Sequence, residues 1–170
     1  MANESIIMQR HSIRDFSDRQ VDSDLLKAVF AEAQRAPSAM NKQPWRVYVA
    51  TGEATKRIRQ AHAKASDQGG TVLFNAPVLV YITVPKGSAS LTYYDAGAFG
   101  YSVLLAAVDH GLSSIPAYQF VRFPEEVIKE FDLPANEELA MGLGLGYPAA
   151  DAATGKTPRL PLDQILTVHE

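Results

Sequence analysis

Apolar residues between positions 22 and 35 recur at helical spacing: Leu25, Leu26, Val29, Phe30 and Ala33 share one face. Asp22 or Ser23 stands where an N-cap is needed, and Pro37 stops the helix. From Trp45 to Thr51 the pattern alternates instead, Val47 and Val49 against Arg46 and Tyr48, as a strand does. Residues 53–66 return to a helical pattern, which Gln68-Gly69-Gly70 breaks. Pro77 to Val84 is a β-branched apolar run, the mark of a buried strand. Tyr93 to His110 is the most apolar helix; its small residues Ala96, Gly97, Ala98 and Gly100 leave room for another helix, and Gly111 suits the C′ position. After a short segment, Leu112 to Tyr118, a helix over Pro124–Phe131 opens on proline, and Glu138 to Tyr147 reads as a last core strand. A short helix near the start and an irregular polar tail from Ala149 complete the pattern. Helices and strands alternate, yet several connections are too short to require an all-parallel sheet. The expected fold is therefore α+β, a central mixed sheet flanked by helices, in one domain over 1–170 with 149–170 as an extended tail.

Composition narrows the function more than the fold. A chain of 170 residues, 46% apolar and 21% charged, fits one soluble globular domain. Its net charge of −3, without a basic stripe, argues against a nucleic-acid partner. Zero cysteines exclude disulfides, thiolate metal sites and cysteine nucleophiles. The apolar stretch near Ile6 is too short for a signal peptide, and no run of about 18 apolar residues offers a membrane span, so a cytoplasmic location is expected. The histidines at 11, 62, 110 and 169 show no metal-ligand spacing, so no metal is expected. His62 reads as helix surface and His110 as a helix C-terminal cation. Gly142-Leu143-Gly144-Leu145-Gly146 fails as a dinucleotide fingerprint, because Tyr147 takes the third glycine position and Pro148 follows where a helix should open. Those glycines better suit a close approach of backbone or ligand.

The chemistry concentrates between residues 10 and 45. Arg10, Ser12 and Arg14 alternate, so in an extended segment they project to one side, and two guanidinium forks with a hydroxyl grip phosphate and carbonyl oxygens well. The segment Ala36-Pro37-Ser38-Ala39-Met40-Asn41-Lys42-Gln43-Pro44-Trp45 adds a hydroxyl, two carboxamides and stiffening prolines, suited to a polar planar heterocycle. Together they point to a tightly held phosphorylated aromatic cofactor.

These two blocks, Arg10-His11-Ser12-Ile13-Arg14-Asp15-Phe16 and Ala36 to Val47, resemble the nitroreductase family of FMN-dependent oxidoreductases. The likeness continues through Ala76 to Val80, Asp95-Ala96-Gly97, Gly111-Leu112 and Gly144 to Pro148, and ends near Arg159 to Asp163. It implies FMN held by Arg10, His11 and Ser12, with Arg14 beside the flavin pyrimidine, where a cation stabilises charge on the reduced ring. It further implies that Pro37, Ser38, Ala39 and Asn41 face a flavin bound mainly by the other subunit of a homodimer. Pro116, Ala117, Tyr118 and Gln119 would run along the N5 side, with the amide of Tyr118 or Gln119 reaching N5. Arg159 and Lys156 would contact phosphate, although both also read as a solvated tail. Asn75 reads equally as a turn former and as a pyrimidine contact. The tail from Leu160 would extend across the partner subunit.

The implied activity is hydride transfer from NADH or NADPH through flavin N5 to a nitroaromatic, quinone or similar electron-poor acceptor, by ping-pong kinetics. No side chain is required as catalytic acid or base, since the flavin carries the redox step. Two alternatives stay open: a non-catalytic flavin-binding or sensor protein, and a specialised branch of the family with a different reductive reaction. Only Pro85 to Thr92 lies between the middle strand and the Tyr93 helix, too little for an extended lid.

Overall fold

The apolar run around Val80 becomes β2 (Val78–Pro85), which pairs with β1 (Arg46–Ala50) on one side and β4 (Glu137–Gly146) on the other. β3 (Ser113–Pro116) pairs with β4 and closes the order β1-β2-β4-β3. This computed structural model describes residues 5–66, 72–153 and 157–170. The α+β class holds, but the three ladders are all antiparallel rather than mixed. Among the described residues, parallel pairing is confined to an isolated bridge, Ser12 to Ser114. A helix between two strands permits a parallel crossover without forcing one, so helical connections do not settle strand direction.

Helices cover both faces of the sheet. Val78, Val80, Ile82 and Val84 point to α2 (Ser23–Ala33) and α4 (Ser90–Asp109), while Leu79 and Tyr81 point to α3 (Gly52–Ser66) and α5 (Pro124–Phe131). That is why β2 is apolar without alternation: each residue loses water on one face or the other, at about 1.5–3 kcal/mol per large side chain. Trp45 stacks on Phe99 of α4 with ring centroids 4.8 Å apart, which fixes the entrance to β1.

The helix ends obey their local chemistry. Asp22 caps α2, its Oδ1 accepting from the amides of Asp24 at 2.8 Å and Leu25 at 3.3 Å. α4 ends in a Schellman motif: the Gly111 amide donates to Val108 O at 3.0 Å and the Leu112 amide to Ala107 O at 2.7 Å. Gly111 takes the left-handed φ of +73° that this turn demands. His62 departs from its expected surface position. It is 5% exposed, its ring edge-on to Phe123 at 4.9 Å, because α3 is sandwiched between the sheet and the segment leading into α5.

The N-terminal helix α1 (Ile6–Gln9) leads into the chemistry-bearing segment. Residues 12–17 are then pinned across the sheet end: the Ile13 amide donates to Ser114 O at 3.2 Å, Phe16 to Phe74 O at 3.2 Å and Ser17 to Tyr147 O at 2.9 Å. The tail holds one short turn, Leu162–Gln164; Ala149 and Ala152 are half-buried, Ala152 against the core, and residues 157–170 are exposed. Among the described residues no helix is long and apolar enough to cross a membrane.

Candidate functional site

A cleft of about 570 Å³ opens where α1, the Ser12 bridge and the tail meet α4, within the range of small-molecule and cofactor sites. Arg10, His11 and Ser12 form one wall, Pro116 of β3 another, and Thr157 and Arg159 arrive from the far end of the sequence. Ile7, Met8, Tyr101 and Leu104 supply apolar surface. Among the described residues lining it none is acidic, so two guanidiniums make the field positive.

Backbone pairing explains the placement. The parallel bridge at Ser12 lays the segment along β3, so the side chains of residues 10–12 border Pro116. His11 Nδ1–H donates to Gln9 O at 2.8 Å, which leaves Nε2 as the free ring nitrogen. Arg159 Nη1 donates to Thr157 O at 2.7 Å, which folds its side chain back over the tail. Arg14 is exposed just beyond the cleft and does not line it.

The Pro37–Asn41 block lies elsewhere, against the start of α4. Asp95, 4% exposed, accepts a hydrogen bond from the Ala39 amide at 3.1 Å. The Gln43 amide donates to Ser38 Oγ at 2.9 Å, and the Gln43 carboxamide donates to Asn41 O and Oδ1, each at 3.1 Å. Met40, Asn41 and Gln43 hold left-handed φ values of 51°, 54° and 46°. Such backbone costs each L residue about 1–2 kcal/mol and persists because Asp95 and the prolines over-determine the turn. Ser38 and Ala39 remain half-buried and Asn41 exposed, so within one chain this block is a presented surface rather than a wall of the Arg10 cleft.

Asn75 is not brought to that cleft either. It lines a separate cavity of about 520 Å³ with Phe16, Asp18, Thr55, Arg59 and Pro77, its Nδ2 donating to Asp15 Oδ1 at 3.4 Å. Leu73, Phe74 and Asn75 run consecutively at φ of 51°, 56° and 58°. α3 clamps the turn, with Arg59 Nη2 donating to Ala76 O at 2.6 Å and Thr55 Oγ1 to Pro77 O at 3.2 Å. Burial in this clamp lowers the Arg59 guanidinium below its ordinary value. The turn-forming reading of Asn75 accounts for what is seen.

Ala117, Tyr118 and Gln119 follow β3 into a 3₁₀ turn, Tyr118–Val121, and the Ala117 amide donates to Gly142 O at 3.3 Å. Tyr118 is 73% exposed, while the Gln119 Oε1 atom is buried without a partner among the described residues. Lys156 lies outside the described residues. Asp95, Tyr101, Leu104 and Thr157 are absent from the residues expected at the site; of these only Asp95, an acid inside the most apolar helix and part of the matching Asp95-Ala96-Gly97 block, carries a signal.

Residues 7–147 match the sequence profile of the nitroreductase family. A 4-nitrobenzoate reductase of Nocardioides sp. (strain LMS-CY) is 25% identical over 98% of this chain and 89% of its own. An NADH dehydrogenase of Thermus thermophilus is 28% identical over 94% and 92%. Among solved structures, the FMN and NADPH-dependent nitroreductase NfnB from sphigopyxis sp. strain HMH superposes with a TM-score of 0.89 at 26% identity, covering 97% of each chain. Fold, profile and the order of the matching segments agree: the chain belongs to the nitroreductase family.

Proposed function

We propose that this protein is an FMN-dependent oxidoreductase that works as a homodimer in the cytoplasm and reduces nitroaromatics, quinones or similar electron-poor acceptors at the expense of NADH or NADPH. The observation that carries the reading is the cleft that joins Arg10, His11 and Ser12 to Arg159. Two guanidiniums and a hydroxyl converging beside apolar surface match a ligand with a phosphate at one end and a planar ring at the other. FMN held there would supply the redox chemistry, hydride exchange between a nicotinamide and an electron-poor acceptor with ping-pong kinetics.

Within that assignment Arg10, Ser12 and Arg159 hold the phosphate and ribityl oxygens, and His11 presents its free Nε2 to the same region. Arg14, exposed just beyond the cleft, serves the pyrimidine edge. Backbone amides of the 117–119 segment serve the N5 side. Pro37, Ser38, Ala39 and Asn41 serve the partner's flavin, a role supported by their presentation as a rigid outward turn. Dimer formation is supported by exposed apolar surface that water penalises: Met8, Tyr94 and Tyr118 at 58%, 72% and 73%, and the tail residues Ile165, Leu166 and Val168 at 67%, 51% and 69%.

Steady-state oxidation of NADH and NADPH by FMN-loaded protein tests the assignment, with nitrofurazone and menadione as acceptors. Acceptor-dependent turnover with parallel double-reciprocal plots is expected. Flavin bound with no turnover would overturn the enzymatic reading and favour a non-catalytic flavin binder.

A further inference from the structure

We propose that Glu32, Asp109 and His110 form a divalent transition-metal site, selective for Zn²⁺ over Mg²⁺ and Ca²⁺, that ties the end of α2 to the end of α4. The three residues come from two helices, and one ligand atom from each lies within 4.8 Å of the others. His110 Nε2 already stands 3.2 Å from Glu32 Oε2. Zinc holds nitrogen and oxygen ligands at about 2.0–2.2 Å, which places neighbouring donors of a tetrahedron roughly 3.3 Å apart. The His110–Glu32 separation matches that edge, and exposed Asp109 and Glu32 carboxylates close the longer distances by rotation.

Electrostatics favours a cation at this point. Glu32 occupies the last turn of α2 and Asp109 is the last residue of α4. Carboxylates at helix C-termini stand against the negative end of the macrodipole, and here two helices place theirs together. A dication balances both carboxylates and both helix ends. The donor set then selects the metal: one imidazole with two carboxylates suits zinc and its neighbours, whereas magnesium and calcium prefer oxygen alone. Spacing along the chain hides the site, since Glu32 is far from the adjacent Asp109 and His110 in sequence. The Schellman turn at Gly111 holds His110 at the α4 terminus, facing α2.

The consequence is mechanical. Glu32 lies one turn ahead of Ala36-Pro37, where the chain leaves α2 for the outward turn at Ser38–Asn41. A metal bridge would fix that departure point against α4 without touching the Arg10 cleft, so the inference stands apart from the flavin assignment.

Equilibrium dialysis of untagged, chelator-stripped protein against Zn²⁺, with bound zinc counted by mass spectrometry, tests the site. About one zinc ion per chain is expected, with His110→Ala and Glu32→Gln each weakening binding at least about tenfold. Excess Mg²⁺ should not displace the zinc, and zinc should raise the melting temperature of the native protein but not of Glu32→Gln. Glu32→Gln keeps the shape of an exposed side chain, so its folding is not at risk. Absence of stoichiometric zinc, or variants that bind zinc as tightly as the native protein, would overturn the proposal.

Discussion

Gly142→Ala should loosen the 3₁₀ turn at Tyr118–Val121 and with it the candidate N5 wall. A Cβ at position 142 would lie 2.2 Å from Phe120 Cβ and 3.4 Å from its Cα, so the clash is with the root of the side chain, which no rotamer change relieves. Reaching ordinary contact at 3.4 Å requires about 1.2 Å of separation between β4 and the turn. Phe120 is 1% exposed and packed with Ile115, so the movement opens the core behind the cleft. Overpacking of this kind costs about 1–3 kcal/mol, against a gain of about 0.5–1 kcal/mol from removing a glycine from a strand. Because the clash is with the root of Phe120 the cost lies at the upper end of that range, and the net loss of about 2–2.5 kcal/mol predicts a melting temperature lower by about 4–10 °C for a chain of this size. The same shift pulls on the Ala117 amide, which bonds Gly142 O, so FMN retention should fall with stability. Thermal melts at fixed protein and flavin concentration, with flavin fluorescence titrations, read both effects. A variant that melts within 1 °C of the native protein and binds FMN equally would refute the packing argument.

Other outcomes follow from single contacts. Arg159→Ala should weaken FMN binding at least about tenfold while leaving the fold intact, because this guanidinium is exposed and reaches the cleft from the tail; flavin fluorescence titration reads it. Asp22→Ala should cost about 1 kcal/mol in urea unfolding through loss of the α2 cap, with an unchanged m value. His62 is held below its ordinary 6.5 by burial and then by the charge of Arg122. A lowered value means that the unfolded chain binds the proton first. The stability from keeping His62 neutral is therefore complete above pH 6.5 and is lost as pH falls towards the lowered value. Melting temperature should drop as pH falls below 6.5, and His62→Gln should flatten that drop; identical slopes would contradict the assignment.

Elements whose residues satisfy their own local rules were legible along the chain. The helix over Pro124–Phe131, the Asp22 cap, the Gly111 turn and the apolar run of β2 all follow from neighbours in sequence. Strand direction was not, because pairing depends on how the chain returns to the sheet. His62 misled for a related reason: helical periodicity marks a polar face, but the segment before α5 covers that face. In the site, Arg10, His11, Ser12, Pro116 and Arg159 line one cleft although they come from opposite ends of the chain. Asn75 separates from them because three left-handed residues turn its side chain towards Asp15 and α3. The Asp95 support of Ala39 spans 56 positions, a contact no local pattern announces.

The central claim is that a phosphate is gripped in the cleft between Arg10 and Arg159. Titration of the flavin-free protein with FMN and with riboflavin, which lacks only the phosphate, tests it most directly. Tight FMN binding is predicted, with riboflavin weaker by at least about a hundredfold, since two charged hydrogen bonds at about 1.5–3 kcal/mol each contribute about 3 kcal/mol or more. Equal affinity for the two flavins, or none for either, would contradict it.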